Sequence, residues 1–290
     1  MARLRPPFGW LGGKFLISRK IVDVLPKHHI YVEVFGGAAN LLIIKEPSDV
    51  EVYNDLDSGL VNFFRVLRDP EKFQKFYKQT CLMPFSREEY DFCKETWEQE
   101  TDDVMRAVKW YVVARQGFGG QFGSNWGYSI KNSWRGMSAQ TSKYLSIIEM
   151  LPDIAARFMR VEIEHDDFRK VIPRFDTEET LFYCDPPYVP STRRSGEYRH
   201  EMTEQDHEEL VDILLSIKGM AILSGYPNPI YERLEQAGWF RKDFSIPCGI
   251  VGRTKQTGLQ GEGALKKNQY RTDCVWFSPN CGVTEECFTK

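Results

Sequence analysis

Residues 30 to 45 read IYVEVFGGAANLLIIK. IYVEVF (30–35) is rich in β-formers, GGAAN (36–40) makes a glycine turn, and LLIIK (41–45) follows as an apolar run. This is a strand, a turn and a helix in succession. The same rhythm recurs along the chain. VEVYND (50–55), RVEIEHDDF (160–168), TLFYC (180–184) and MAILSGY (220–226) read as further strands. A helix is expected over 203–218, where Thr203 and Asp206 form a capping box. Leu210, Ile213, Leu214 and Ile217 share one of its faces, and Gly219 ends it. Another helix is expected over 229–237. Strands alternating with helices predict an α/β fold with a mostly parallel sheet covered on both faces.

The interval 63–145 departs from that rhythm. It opens with charged, helical sequence and changes into RQGFGGQFGSNWGYSIKNSWRG (115–136), which holds six glycines, five large aromatics and three basic residues. A core of that composition is implausible, so a hairpin or exposed loop is expected. We read 63–145 as an insertion carrying a partner-binding surface, with 1–62 and 146–290 forming the main domain.

Net charge is −3, so the protein is not coated in positive charge. Between Val104 and Ile148, however, there are six basic residues and no acidic one. A second basic stretch runs from Arg253 to Arg271, while acidic residues gather in 87–103. Charge separated this way suits a polyanion-facing side on a neutral body, although solvated helix faces produce such runs too. No apolar run approaches the roughly 20 residues of a membrane span and no signal-like segment opens the chain, so a cytoplasmic protein is expected. Seven cysteines without a C-x-x-C pair give no zinc-ligand spacing; no metal and reduced thiols are expected.

Three motifs carry chemistry. In EVFGGAAN (33–40), the glycine turn after a first strand lets a ligand approach the backbone. Asp55 stands twenty residues after Phe35, at the next strand end, where a carboxylate can grip ribose hydroxyls. The strict G-x-G-x-x-G fingerprint is absent, which argues against pyrophosphate. GWLGGK (9–14) places Trp10 and Lys14 around a glycine pair, a cradle for a small ligand or an ordinary N-terminal turn. Finally, DPPY (185–188) ends a strand with an acceptor, a preset backbone and an aromatic face, a combination suited to a planar amine. Cys184 reads as strand packing.

In the order GWLGGK, VEVFGGAAN, YND, long insertion, HDDF, DPPY, the chain resembles the Dam-like adenine-specific DNA methyltransferases from residue 8 to about 235. The resemblance implies a Rossmann-like methyltransferase sheet with an inserted, mainly helical DNA-recognition domain containing a hairpin. It implies S-adenosyl-L-methionine as cofactor, with Trp10, Lys14, Glu33, Phe35 and Gly36 lining its methionine side, Asp55 its ribose and Asp167 its adenine. Asp185, Pro186, Pro187 and Tyr188 would hold the target adenine, Asp185 lying also against the cofactor. The substrate implied is double-stranded DNA with the target base rotated out of the helix. Arg115, Gln121, Asn125, Lys131, Asn132 and Arg135 are the candidates for DNA contact. The glycine- and tryptophan-rich hairpin does not align with the family's recognition residues, so the target sequence stays open. RRSGEYRH (193–200) reads equally as a loop ordered by DNA or a plain surface loop. A monomer suffices for this chemistry, with a dimer left open. Methylation of RNA adenine, and a catalytically silent DNA-binding relative, are the alternatives.

Overall fold

A computed structural model describes residues 4–10, 14, 16–192, 199–247 and 270–289. Residues 11–13 of the GWLGGK motif, 193–198 of the segment after DPPY and 248–269 lie outside the described residues. That last interval holds most of the second basic stretch.

The chain order is α1 (Ser18–Val22), β1 (Ile30–Glu33), α2 (Asn40–Ile44), β2 (Val50–Asn54), α3 (Ser58–Arg68), α4 (Pro70–Leu82), α5 (Arg87–Thr96) and α6 (Asp103–Gln116). A two-stranded hairpin follows, β3 (Ser133–Trp134) with β4 (Met137–Ser138), then α7 (Ala139–Ile148) and α8 (Leu151–Phe158). The remainder is β5 (Val161–Glu164), α9 (Phe168–Phe175), β6 (Thr180–Cys184), α10 (Glu204–Ser216), β7 (Met220–Gly225), α11 (Pro229–Gln236), β8 (Phe240–Pro247) and β9 (Tyr270–Phe277).

Seven strands form one sheet in the order β5-β2-β1-β6-β7-β9-β8. The first five are parallel; β9 runs antiparallel between β7 and β8. This is the mainly parallel α/β fold expected of a Rossmann-like methyltransferase. The five strands read from sequence are all present. β5 is shorter than its apolar pattern suggested, because HDDF turns the chain into α9. The β8–β9 pair went unread: its strands carry Arg241, Lys242, Asp243 and Arg271 on an edge, where alternation is blurred. Topology reverses between β1 and β6, since β1 continues outward through β2 and β6 through β7. The crevice at the carboxyl ends of those two strands is where open α/β sheets bind ligands.

Each face of the sheet carries a core. On one, Val32, Val52, Phe182 and Leu223 meet Phe168, Val171, Leu210, Val211 and Leu234. The capping box at Thr203 is formed, and a cap of this kind stabilises a helix by about 1 kcal/mol. On the other face, Tyr31, Tyr53 and Leu181 belong to the same apolar cluster as Phe63, Phe76, Tyr90, Trp97, Trp110 and Tyr111. The helices of the interval 63–145 thus share one core with the sheet. Beneath it, Arg157 of α8 donates to Glu51 at 2.5 and 2.7 Å and to the Leu42 carbonyl at 2.8 Å, and Lys45 donates to Glu51 at 2.6 Å. These bonds tie α2, β2 and α8 together and hold the glycine turn in place. Among the described residues, no helix is long and apolar enough to cross a membrane.

Candidate active site

One cleft opens at the carboxyl ends of β1, β2 and β6, with about 920 Å³ of empty space including its mouth. Glu33 ends β1. Its carboxylate is 2% exposed and accepts from the Leu42 amide at 2.9 Å and the Tyr31 hydroxyl at 3.3 Å. Burial pushes its pKa up to about 8, against the hydrogen bonds that lower it. Gly36 and Gly37 follow. A Cβ on Gly36 would lie 2.2 Å from the Tyr53 ring, and Gly37 adopts φ +49°, so both positions demand glycine. The Gly37 amide donates to Asp55 Oδ2 at 2.8 Å, and the Asp57 amide to Asp55 Oδ1 at 2.8 Å. Burial raises Asp55 to about 6.

Asn54 joins this turn to the next. Its amide nitrogen donates to the Val34 and Asp166 carbonyls at 2.8 and 3.0 Å, and its oxygen accepts from the Asp166 amide at 2.9 Å. Asp166 and Phe168 line the cleft. Asp167 lies between them but caps α9, accepting from the Arg169 amide at 2.8 Å and pairing with the Arg169 side chain at 3.1 Å. Phe35 and Phe168 both line the cleft and touch each other, their rings tilted by 40° with centroids 5.8 Å apart.

Trp10 closes the near wall, packed on Trp110 at 6.2 Å and Phe122 at 6.1 Å. Lys14 is placed differently. Its ammonium, 1% exposed, donates to Asp185 Oδ1 at 2.6 Å and to the Tyr188 hydroxyl, and so belongs to the DPPY motif. Asp185 and Pro187 line the cleft, and Tyr188 meets Tyr226 edge-on at 4.3 Å. Burial raises the Asp185 carboxyl above its ordinary range while Lys14 opposes that rise. Asp273, on β9, is 1% exposed with neither carboxylate oxygen hydrogen-bonded, and its charge adds to the rise at Asp185. Cys184 is wholly buried in β6, and burial pushes its thiol far up, leaving it inert. Among the described residues no group of three or more His, Cys, Asp or Glu is arranged to hold a metal.

Glu33, Phe35, Gly36, Asp55, Trp10 and Asp185 are therefore brought to one cleft. Sequence reasoning missed Asn54, Asp57, Asp166, Phe168, Arg199 and Asp273. Asn54, Asp166 and Phe168 stood inside the quoted motifs YND and HDDF, and Arg199 inside RRSGEYRH; Asp57 and Asp273 carried no local signal.

The six candidates for DNA contact lie elsewhere, on the segment from Arg115 to Arg135. Asn125, Lys131, Asn132 and Arg135 are exposed; Arg115 and Gln121 are half-buried. Arg115 donates to the Lys143 carbonyl at 3.1 Å, and Arg135 pairs with Glu149 at 2.9 Å. Ile130, Tyr128 and Trp134 are exposed beside them, at 85%, 55% and 54%. The segment is anchored by the Tyr90 hydroxyl on the Ser124 carbonyl, by Trp126 on Gln116, and by Phe122 between Trp10, Trp97 and Trp110.

Comparison with known proteins finds a family and several relatives for this chain. A family model for D12 class N6 adenine-specific DNA methyltransferases matches residues 10–237. The chain is 26% identical over 235 residues to the DNA N-6-adenine-methyltransferase of Escherichia phage P1, covering 77% of this chain but 30% of the phage protein. It is 25% identical over 222 residues to a DNA adenine methylase of Vibrio cholerae serotype O1, covering 73% of this chain and 76% of that protein. A DNA adenine methylase of Haemophilus influenzae is 24% identical over 226 residues, 74% and 75% of the two lengths.

Proposed function

Because the chain belongs to the D12 class of N6 adenine-specific DNA methyltransferases, we propose that its cleft binds S-adenosyl-L-methionine and presents a flipped adenine of duplex DNA to it. The observation that carries this reading is the charge of the cleft. Among the described residues, Glu33, Asp55, Asp57, Asp166, Asp185 and Glu201 line it, with Arg199 and His200 as the basic ones. These carboxyl groups, Glu33 ionising as a cation arrives, suit a ligand bearing a sulfonium and an ammonium, and they disfavour a phosphate-rich nucleotide. The Phe35 and Phe168 rings offer an apolar wall to a flat purine. Asp55, already held by two backbone amides, would accept from ribose hydroxyls.

When bound, S-adenosyl-L-methionine would supply a sulfonium-borne methyl carbon, to which a nitrogen lone pair bonds in line as the thioether leaves, the amine then giving up one proton. Adenine's amino nitrogen is a weak nucleophile because its lone pair is delocalised into the ring. Lys14 holds one oxygen of Asp185 and keeps the carboxylate ionised against its burial. The other oxygen and the Pro186 carbonyl accept the two amine hydrogens, which favours a pyramidal nitrogen. Tyr188 is 3% exposed, with the Lys14 ammonium 4.5 Å over its ring and Tyr226 edge-on against it, so stacking on the base requires that ring to be uncovered as the base enters. A base inside a duplex cannot reach this motif, and its extrusion costs a few kcal/mol, offset by stacking and hydrogen bonds. The interval 63–145 supplies the DNA-facing surface, with Arg115, Lys131 and Arg135 for phosphates and Gln121, Asn125 and Asn132 for base edges.

The test is methyl transfer from labelled S-adenosyl-L-methionine to mixed-sequence duplex DNA. Label is expected in N6-methyladenine, and Asp185→Ala should abolish it while cofactor binding persists. Label in RNA alone, or cofactor binding with no transfer, would overturn the reading. Sequencing methylated plasmid from an expressing cell then identifies the target site.

A further inference from the structure

Among the described residues lining the cleft, Arg199 is the one arginine, and its guanidinium pairs outside the cleft. Its guanidinium pairs with Glu98 at 2.8 Å and lies over the Trp97 ring at 4.6 Å. Its Nε stands 3.9 Å from Asp57 Oδ2, a buried oxygen that has no hydrogen bond. The other Asp57 oxygen caps α3, accepting from the Gly59 and Leu60 amides at 2.7 and 3.2 Å. Trp97 is 3% exposed and meets Phe122 at a right angle, 5.7 Å between centroids. Phe122 in turn packs on Trp10, across the cleft wall. A continuous set of contacts thus runs from the outer wall of the cleft to the glycine-rich segment.

Resting on the methyltransferase reading above, we propose that Arg199 is a positioning residue that couples the cofactor cleft to the DNA-facing segment through Trp97 and Phe122. Its charge offsets Asp57, which otherwise stands as an unpaired buried carboxylate at the cleft floor. Its planar group stacks on Trp97, which an ammonium cannot match. With Arg199 seated, the wall Arg199–Met202 is held against the helices that position Phe122. Cofactor in the cleft favours the seated arrangement, and so does DNA on the glycine-rich segment, so each raises the affinity of the other. Linkage requires the two enhancements to be equal.

The experiment titrates the full chain with S-adenosylhomocysteine, which cannot react, with and without saturating duplex DNA, and reverses the order to obtain both coupling factors. Wild type should show one coupling factor by either route. Arg199→Met, which keeps the stem and removes the charge, should bind the ligand about tenfold more weakly, the combined loss of one exposed ion pair and one cation–π contact, and its coupling factor should fall to about one. Arg199→Lys should fall between. With S-adenosyl-L-methionine, KM should rise while kcat at saturation changes less than about threefold, because Arg199 does not touch the reacting atoms. Unchanged affinity and coupling in a folded Arg199→Met protein would overturn the proposal alone. Wild type that fails to bind the ligand would instead overturn the reading on which it rests.

Discussion

At the ends of β1 and β2, the carboxylate of Glu33 is buried, that of Asp55 half-buried, and both are held by backbone amides within a turn or two of chain. On the segment from Gly117 to Gly136, the long side chains point outward and the backbone visits positive φ at Gly119, Gly120, Gly123, Arg135 and Gly136. The first region is finished before any ligand arrives. It has little rotamer freedom to lose, and its groups have unusual proton affinities because water is excluded. The second is a surface many of whose polar groups face solvent, so contacts with a partner are made there at the cost of ordering. On the proposed function, reaction chemistry belongs to the first region and reading of DNA to the second. Substitutions in the two should therefore differ in kind as well as size.

The largest effect is expected at Lys14. Lys14→Met removes the ammonium bonded to Asp185 and leaves Arg271, 3.7 Å from Asp273, as the remaining nearby cation, so the Asp185 carboxyl is pushed further up and accepts less well from the amine. We expect kcat to fall by roughly 10²–10³, as for removal of one fixed charge-stabilising donor, with DNA affinity within about twofold of wild type. Single-turnover transfer and DNA binding measured side by side check it; parallel losses in both would erase the distinction between the regions.

A medium effect is expected at Glu33. Its folded pKa, about 8, lies above the ordinary 4.5. The stability it contributes is therefore fully present below pH 4.5 and is lost as pH rises through 8. Melting curves of Glu33→Gln against wild type should diverge in favour of the variant between those limits. A cationic cofactor also favours ionised Glu33, so binding at pH 7 should release a proton in wild type and not in Glu33→Gln. Calorimetry in buffers of different ionisation enthalpy detects it. No difference between the two proteins would mean that Glu33 is not facing the ligand's charge.

The smallest effect belongs to the open region. Lys131→Ala should weaken duplex binding several-fold on every sequence alike and lower the salt slope by about 1, leaving cofactor affinity unchanged. A sequence-dependent loss would move Lys131 from phosphate contact to base reading and sharpen the picture of this surface.

Local spacing was enough to find β1, β2, β6 and β7, the capped helix α10, and the carboxylates Asp55 and Asp185, while Glu33 was named by the family resemblance. Each sits at a strand end, and a strand end is visible where an apolar run stops at a polar residue or a proline. Order along the chain, from Trp10 to Tyr188, identified the family for the same reason. What the sequence did not disclose were pairings across long separations. Lys14 turned out to neighbour Asp185, 171 positions away. Asp166 rather than Asp167 faces the cleft, because the Asn54 amide fixes the turn that holds it. Arg199 reaches Trp97 and Glu98 on a different helical layer, and Asp273 comes from β9, an inner antiparallel strand of mixed polarity. Periodicity and composition report how a segment behaves against water within a few residues of itself. Which charge meets which in a dry interior depends on how the sheet is ordered and how its helices pack, and that information exists only once the chain has folded.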